Sequence, residues 1–233
     1  MEHMIFSVAN KFSISYYESI LKLALDSGYR FMQMREFAEE KPDVIKDRVC
    51  VLRHDLDDKP QRLRGMIDCE ESLGVRSTIF VLVHTDKYNP FAYPALHLLR
   101  KAQERGFEIG LHTNFIEVSQ IVGVEPDRVL ENEVNALRGF FPVAGIACHR
   151  NIDFMYNSLP YLEANWAKLK AHNCLSYQAY DSAIFQDLVL VNEGFLPHLG
   201  WRTHHPEEII ESGRSFCLST HPHWWHQDHA FED

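Results

Sequence analysis

Val51-Leu52-Arg53-His54-Asp55-Leu56-Asp57-Asp58 is the stretch that decides the fold of this chain. An apolar run, Val49 to Leu52, breaks there into three carboxylates and a histidine. A short apolar run bounded by polar residues predicts a buried parallel strand. The residues after it then lie at the strand's C-terminal end, where α/β folds carry their chemistry. Carboxylates beside an imidazole can hold a divalent metal, move a proton, or both. The plain alternative is a polar loop whose Asp caps a helix opened by Pro60.

The same signature recurs along the chain. Strands are expected over Tyr29 to Met34, Val49 to Leu52, Ser77 to Val83, Glu108 to Leu111, Val143 to Cys148, Leu175 to Tyr180 and Phe216 to Ser219. Helices are expected over Tyr16 to Asp26, Pro60 to Leu73, Pro94 to Arg105, Pro126 to Arg138, Pro160 to His172 and Pro206 to Ser212. Several of these helices open at proline and close at glycine, the usual asymmetry of helix ends. Continuous β-α alternation, about seven times over, predicts a parallel sheet. Asp55, Asp57, His112, His149, Asp181 and His221 all fall at strand ends. In a closed barrel such ends meet at one mouth, whereas in an open sheet they spread along an edge. A single α/β barrel domain over residues 1–233 is therefore expected.

Composition narrows the function. The formal charge is −10, from 23 basic and 33 acidic residues. That disfavours nucleic acid and anionic membrane as main partners, since both reward clustered Lys and Arg. Fourteen histidines raise metal binding and acid-base chemistry together. Cys50, Cys69, Cys148, Cys174 and Cys217 are odd in number and show no CxxC or zinc-ribbon spacing. No signal-peptide pattern and no apolar run of membrane-spanning length are seen. A cytoplasmic location is expected.

Arg53-His54-Asp55-Leu56-Asp57, Ser77-Thr78-Ile79-Phe80, Glu108-Ile109-Gly110-Leu111-His112-Thr113 and Leu218-Ser219-Thr220-His221-Pro222 form an ordered set. Together they resemble the motifs of the NodB-homology polysaccharide deacetylases (carbohydrate esterase family 4). The likeness is greatest to a divergent branch with an Arg-His-Asp-x-Asp opening, associated with bacterial O-antigen and surface-polysaccharide clusters. It runs from about Val49 to Trp225. The resemblance implies a distorted (β/α)7 barrel and divalent-metal-dependent removal of an acetyl group from a sugar. It assigns Asp55 as base and Asp57 as metal ligand, with Asp58 as a substitute, and His112 as a second ligand. The family's second-motif partner histidine would fall at Ile116, which is a departure. His149 is then expected to replace it, and Arg150 to orient the base. His221 matches the family's general acid.

A metal held by Asp57, His112 and His149 would suit Zn²⁺, with Co²⁺, Ni²⁺ and Mn²⁺ as alternatives. Arg53 or Arg150 would keep Asp55 ionised. Tyr180, Asp181, Trp224 and Trp225 are candidate substrate contacts, the aromatics by stacking on a sugar face. His84, Tyr88 and Asn89 are weaker candidates, and His223, His226 and His229 resemble a metal tract, with a polar tail as the favoured reading. Each also has a plain reading: His112 as a core histidine, His221 as a turn residue, the tryptophans as rim packing. The expected enzyme is a hydrolase of an amide or ester bond on an acetylated sugar. The alternatives are a deacetylase-like carbohydrate-binding or regulatory protein without a catalytic metal, or hydrolysis of another bond such as a phosphoester.

Overall fold

Strand β2 runs on through the charged residues. It spans Val49–Leu56, and all eight are buried. Arg53, His54 and Asp55 are therefore strand residues, where the sequence predicts the strand to end at Leu52. The computed structural model describes residues 12–149, 157–193 and 200–227. Its other strands are β1 (Arg30–Met32), β3 (Thr78–Leu82), β4 (Glu108–Thr113), β5 (Gly145–Cys148), β6 (Tyr177–Gln178), β7 (Val189–Asn192) and β8 (Phe216–Thr220). The sheet order is β6-β5-β4-β3-β2-β8-β7, and the pairings are parallel. Short β1 lies off this path. It pairs with β2 at Val49 to Val51, on the edge that β3 takes over from Arg53 onward.

Helices enclose the sheet: α1 (Ile14–Asp26), α2 (Met34–Glu40), α3 (Leu63–Ser72), α4 (Tyr93–Glu104), α5 (Phe115–Val122), α6 (Pro126–Arg138), α7 (Ser158–His172), α8 (Ser182–Phe185) and α9 (Pro206–Ser212). Seven strands in this order, with helices outside, make the expected distorted (β/α)7 barrel. Among the described residues no pairing joins β6 to β7, so the barrel has a gap there. The seven strands are not the seven read from sequence. β1 drops off the main path and β7 joins it. Helices α2, α5 and α8 are also additions. Helix α5 has the sequence Phe-Ile-Glu-Val-Ser-Gln-Ile-Val. Its β-branched residues carry no strong helix signal, and tertiary packing decides the outcome.

The two-residue period of a strand sorts side chains by face. Val49 and Val51 of β2 share an interior cluster with Phe80, Ala147, Tyr177 and Cys217. Cys50 and Leu52 pack outward against α1 and α3 residues such as Leu21 and Met66. Helix α2 braces the barrel's N-terminal end. The Met34 amide donates to Thr78 Oγ1 (2.8 Å), and Gln33 Nε2 donates to the Gly106 carbonyl (2.6 Å). Buried Glu108 accepts from Thr78 Oγ1, the Tyr177 hydroxyl and the Arg35 amide.

Two glycines make room for the rings that fill this interior. A Cβ at Gly110 would lie 2.6 Å from the Phe80 ring, and one at Gly145 would lie 2.0–2.4 Å from Tyr177. The Tyr177 hydroxyl is tied to Glu108 at 2.9 Å, so that ring is not free to swing away. Gly145→Ala is therefore expected to cost about 1–3 kcal/mol by overpacking. The check is urea unfolding, and an unchanged midpoint would mean that the ring can relocate at no cost.

Candidate active site

Strand parity builds the site. Arg53, Asp55 and Asp57 share the inward face of β2, with Asp57 just past its last residue. His112 lies within β4, while His149 and His221 directly follow β5 and β8. These side chains meet. Asp57 Oδ1 lies 3.3 Å from His112 Nε2, and Asp57 Oδ2 lies 3.6 Å from His149 Nε2 and 3.8 Å from His221 Nε2. Asp55 Oδ2 is 3.8 Å from His112 Nε2. Asp57, His112 and His149 each present a ligand atom within 4.8 Å of the others.

A hydrogen bond behind the site fixes the His112 imidazole, and a backbone bond fixes the position of His149 in the sheet. A carbonyl can only accept, so the 2.9 Å contact of His112 Nδ1 with the Ala147 carbonyl puts the proton on Nδ1. In the neutral ring, Nε2 then turns its lone pair toward Asp57. The His149 amide donates to the Thr113 carbonyl (2.8 Å), so β5 holds its register up to the ligand position.

Charge decides the protonation states. Burial would raise the Asp55 pKa, but Arg53 above all, then His112 and His221, hold it below the usual carboxylate range. Arg53 Nη2 donates to Asp55 Oδ2 at 2.6 Å. Asp57 is likewise raised by burial, yet the imidazoles of His112 and His149 beside it, and then His221, keep it well below the ordinary value. Burial pulls His221 down, while Glu193 foremost, then Asp57 and Asp55, lifts it to about 9. His223 is lowered to about 4, mainly by burial.

The donor set fits a divalent cation. Asp55 Oδ1 and Asp57 Oδ1 are buried acceptors without a hydrogen-bond donor among the described residues. Buried lone pairs of this kind are costly unless something compensates them. One carboxylate and two imidazoles with open positions suit Zn²⁺ or another first-row ion. Ile116, where the missing histidine would fall, is half-buried against the hydrophobic cluster under α5 and α6. His149, from the neighbouring strand end, supplies the second imidazole.

Other expected residues lie elsewhere. Trp225 is a correction: it is fully buried, packed on Phe12, Tyr17 and Trp201, and no face is left for a sugar. Its indole N–H donates to Glu193 at 2.6 Å. Trp224 is half-buried and lies 4.3 Å from the His223 ring. Asp181 caps α8 by accepting from the Ala183 amide, and it also accepts from Trp166 Nε1. Tyr180 accepts from Arg53 Nη2 at 3.0 Å. Arg150 and His229 lie outside the described residues, and Arg53 makes the contact with Asp55. His84 is bonded to Glu133, Tyr88 donates to the Leu56 carbonyl, and Asn89 accepts from the Phe91 amide. His226 is buried rather than part of a tail.

Glu193 is the residue that sequence reasoning missed. Only 3% exposed, it accepts from the His221 amide (2.9 Å), from His221 Nδ1 (3.1 Å) and from Trp225. Its signal was present: Val189-Leu190-Val191-Asn192-Glu193 is another short apolar run ending in a carboxylate. Because Glu193 raises the His221 pKa, Glu193→Gln should lower it. NMR titration of metal-free protein is expected to place the wild-type imidazole near 9 and the variant clearly below. The sign for stability follows. A raised histidine pKa stabilises the fold at pH below the unfolded value, and that contribution fades as pH rises toward 9. Equal titration midpoints in the two proteins would exclude Glu193 as the cause.

No family profile and no curated protein sequence matches the chain. Solved structures are similar, among them the following two. Streptococcus pyogenes deacetylase PplD, in complex with acetate, has a TM-score of 0.50 at 12% identity, covering 89% of this chain and 80% of that one. A candidate polysaccharide deacetylase involved in O-antigen biosynthesis, WbmS of Bordetella bronchiseptica, has a TM-score of 0.43 at 15% identity, covering 76% and 72%. The first of these likenesses agrees with the barrel described above: the chain has the fold of the NodB-like deacetylases.

Proposed function

We propose that this protein is a divalent-metal-dependent hydrolase that removes an acetyl group from a sugar. The observation that carries this reading is the meeting of Asp57, His112 and His149, with Asp55 and His221 beside them. A pure binding protein has no need of a base and an acid flanking a metal-type donor set. A bound divalent ion supplies Lewis-acid polarisation of the acyl oxygen and activation of water. Asp55, kept anionic by Arg53, takes the proton from the attacking water. His221, held by Glu193, gives a proton to the leaving nitrogen or oxygen. The C–N or C–O bond of the acyl group breaks, releasing acetate and the free amine or hydroxyl.

Zn²⁺ is the preferred ion, because two imidazoles and a carboxylate with open positions are its usual catalytic set. The substrate we propose is an acetylated sugar precursor of surface-polysaccharide biosynthesis, acted on in the cytoplasm. The five free cysteines support that placement, and the sequence resemblance supports the substrate class. Among the described residues no helix is long and apolar enough to cross a membrane.

Elemental analysis of untagged protein tests the metal. About one divalent ion per chain is expected, and Asp57→Asn should lose it while the chain stays folded. A metal-free protein that releases no acetate from any acetylated sugar would leave the binding-protein reading in its place. A second measurement tests the division of roles. His221→Ala is expected to keep the ion and lower kcat by roughly 10²–10⁴-fold. Loss of the ion from this variant would make His221 a ligand instead of the acid.

A further inference from the structure

A cavity of about 280 Å³ opens on the flank of the barrel, at the gap between β6 and β7. Its wall is largely apolar, with Tyr180, Phe185, Leu188 and Leu190 on it. Arg53 also lines it, although only 2% of that residue is exposed. The guanidinium is held firmly. Nε donates to Ser219 Oγ at 3.1 Å, and Nη2 donates to Asp55 and to the Tyr180 hydroxyl. The cation also faces the Tyr180 and Phe80 rings at 5.0 and 5.4 Å. Among the described residues Nη1 has no hydrogen-bond partner. Nη1 is not among the fully buried atoms, so it is an accessible N–H donor that a molecule in the cavity can meet with an acceptor.

The charges say what kind of acceptor. Asp55 already balances Arg53, and Asp181, whose carboxylate accepts from Ala183 and Trp166, is among the residues lining the same cavity. A second anion would meet two carboxylates for one cation, so a neutral oxygen fits better. The apolar wall favours a short alkyl group next to that oxygen. A carbonyl joined to a short alkyl chain is an acyl group.

We propose that this flank cavity is an acyl-binding pocket. It takes the carbonyl oxygen of a neutral amide or ester on Arg53 Nη1 and the alkyl end against Phe185, Leu188 and Leu190. If the hydrolase reading holds, on which only this last step rests, the ligand is a second acyl substituent of the sugar. A substrate carrying two acyl groups would then be selected over one carrying a single group.

NMR titration of the isotope-labelled full chain tests the pocket, both zinc-loaded and chelator-treated. The probes are N-methylacetamide, N-methylpropanamide and acetate. The amides are expected to give saturable shifts at the Ser182 and Leu190 backbone signals, with and without metal. The added methylene of the propanamide should tighten binding about fourfold. Acetate should bind more weakly than the amide of equal acyl length. Leu190→Trp, which fills the cavity from a partly exposed position, should weaken the amides about tenfold or more and leave the His112 and His149 signals in place. Gln186→Trp, at the exposed rim, should do the same. Tighter binding of acetate would make the pocket an anion site and overturn the proposal. So would an absence of saturable shifts up to about 100 mM amide, or binding that neither tryptophan reduces. Metal content and acetate release do not enter this readout. A failed titration leaves the hydrolase reading standing, and an inactive protein leaves the pocket standing.

Discussion

A carboxylate at Asp55 is only 3% exposed, and burying an ion there requires a cation in contact. Arg53 meets the need from two residues earlier on the same strand. Because strand side chains alternate, residues 53 and 55 share a face, and a 2.6 Å ion pair forms within a single strand. The rest of the interior is arranged around that pair. Ser219 of β8 and Tyr180 beyond β6 accept from the same guanidinium, and the Phe80 and Tyr180 rings lie near it. Three strands and the segment after β6 thus meet at one side chain. Gly110 and Gly145 matter for the same reason, since each leaves space for an interior ring next to this layer.

The alternation that places Arg53 inward sends His54 outward. Its Nδ1 meets Thr220 Oγ1 and its Nε2 meets Glu70, each at 2.6 Å, and the Tyr17 hydroxyl donates to the same Glu70 oxygen. These four side chains are fully buried under α1 and α3. The histidine adjacent to the proposed base is therefore a fastening between sheet and helices. In the quoted motif the structural and chemical residues interleave one by one.

A second buried carboxylate links core to site. Glu193 accepts from Trp225 on one side and from His221 on the other. The tryptophan that looked like a sugar platform instead helps set the position of the proposed acid, through a carboxylate both residues share. His112 and His149 are placed more simply, by hydrogen bonds to backbone carbonyls across β4 and β5. The proposed ligands thus rest on sheet register, whereas the proposed acid rests on core packing.

What the sequence determined by itself was periodicity. Short apolar runs ending in Asp or His, separated by helices with proline starts and glycine stops, were enough for a parallel barrel with Asp55, Asp57, His112, His149 and His221 at one end. That information is local, because each strand end is marked by its own few residues. Tertiary structure alone decided the extent of β2, since nothing local says that Arg53, His54 and Asp55 remain buried strand. It also decided that Tyr180 and Ser219 hold the Arg53 guanidinium, that Trp225 is core, and that β7 stands on the main path while β1 does not. Those outcomes depend on partners tens to more than a hundred residues away: Arg53 reaches Tyr180 and Ser219, and Trp225 reaches Glu193. A single strand's pattern gives its faces, but which charge meets which across the barrel is fixed only when the sheet closes around them.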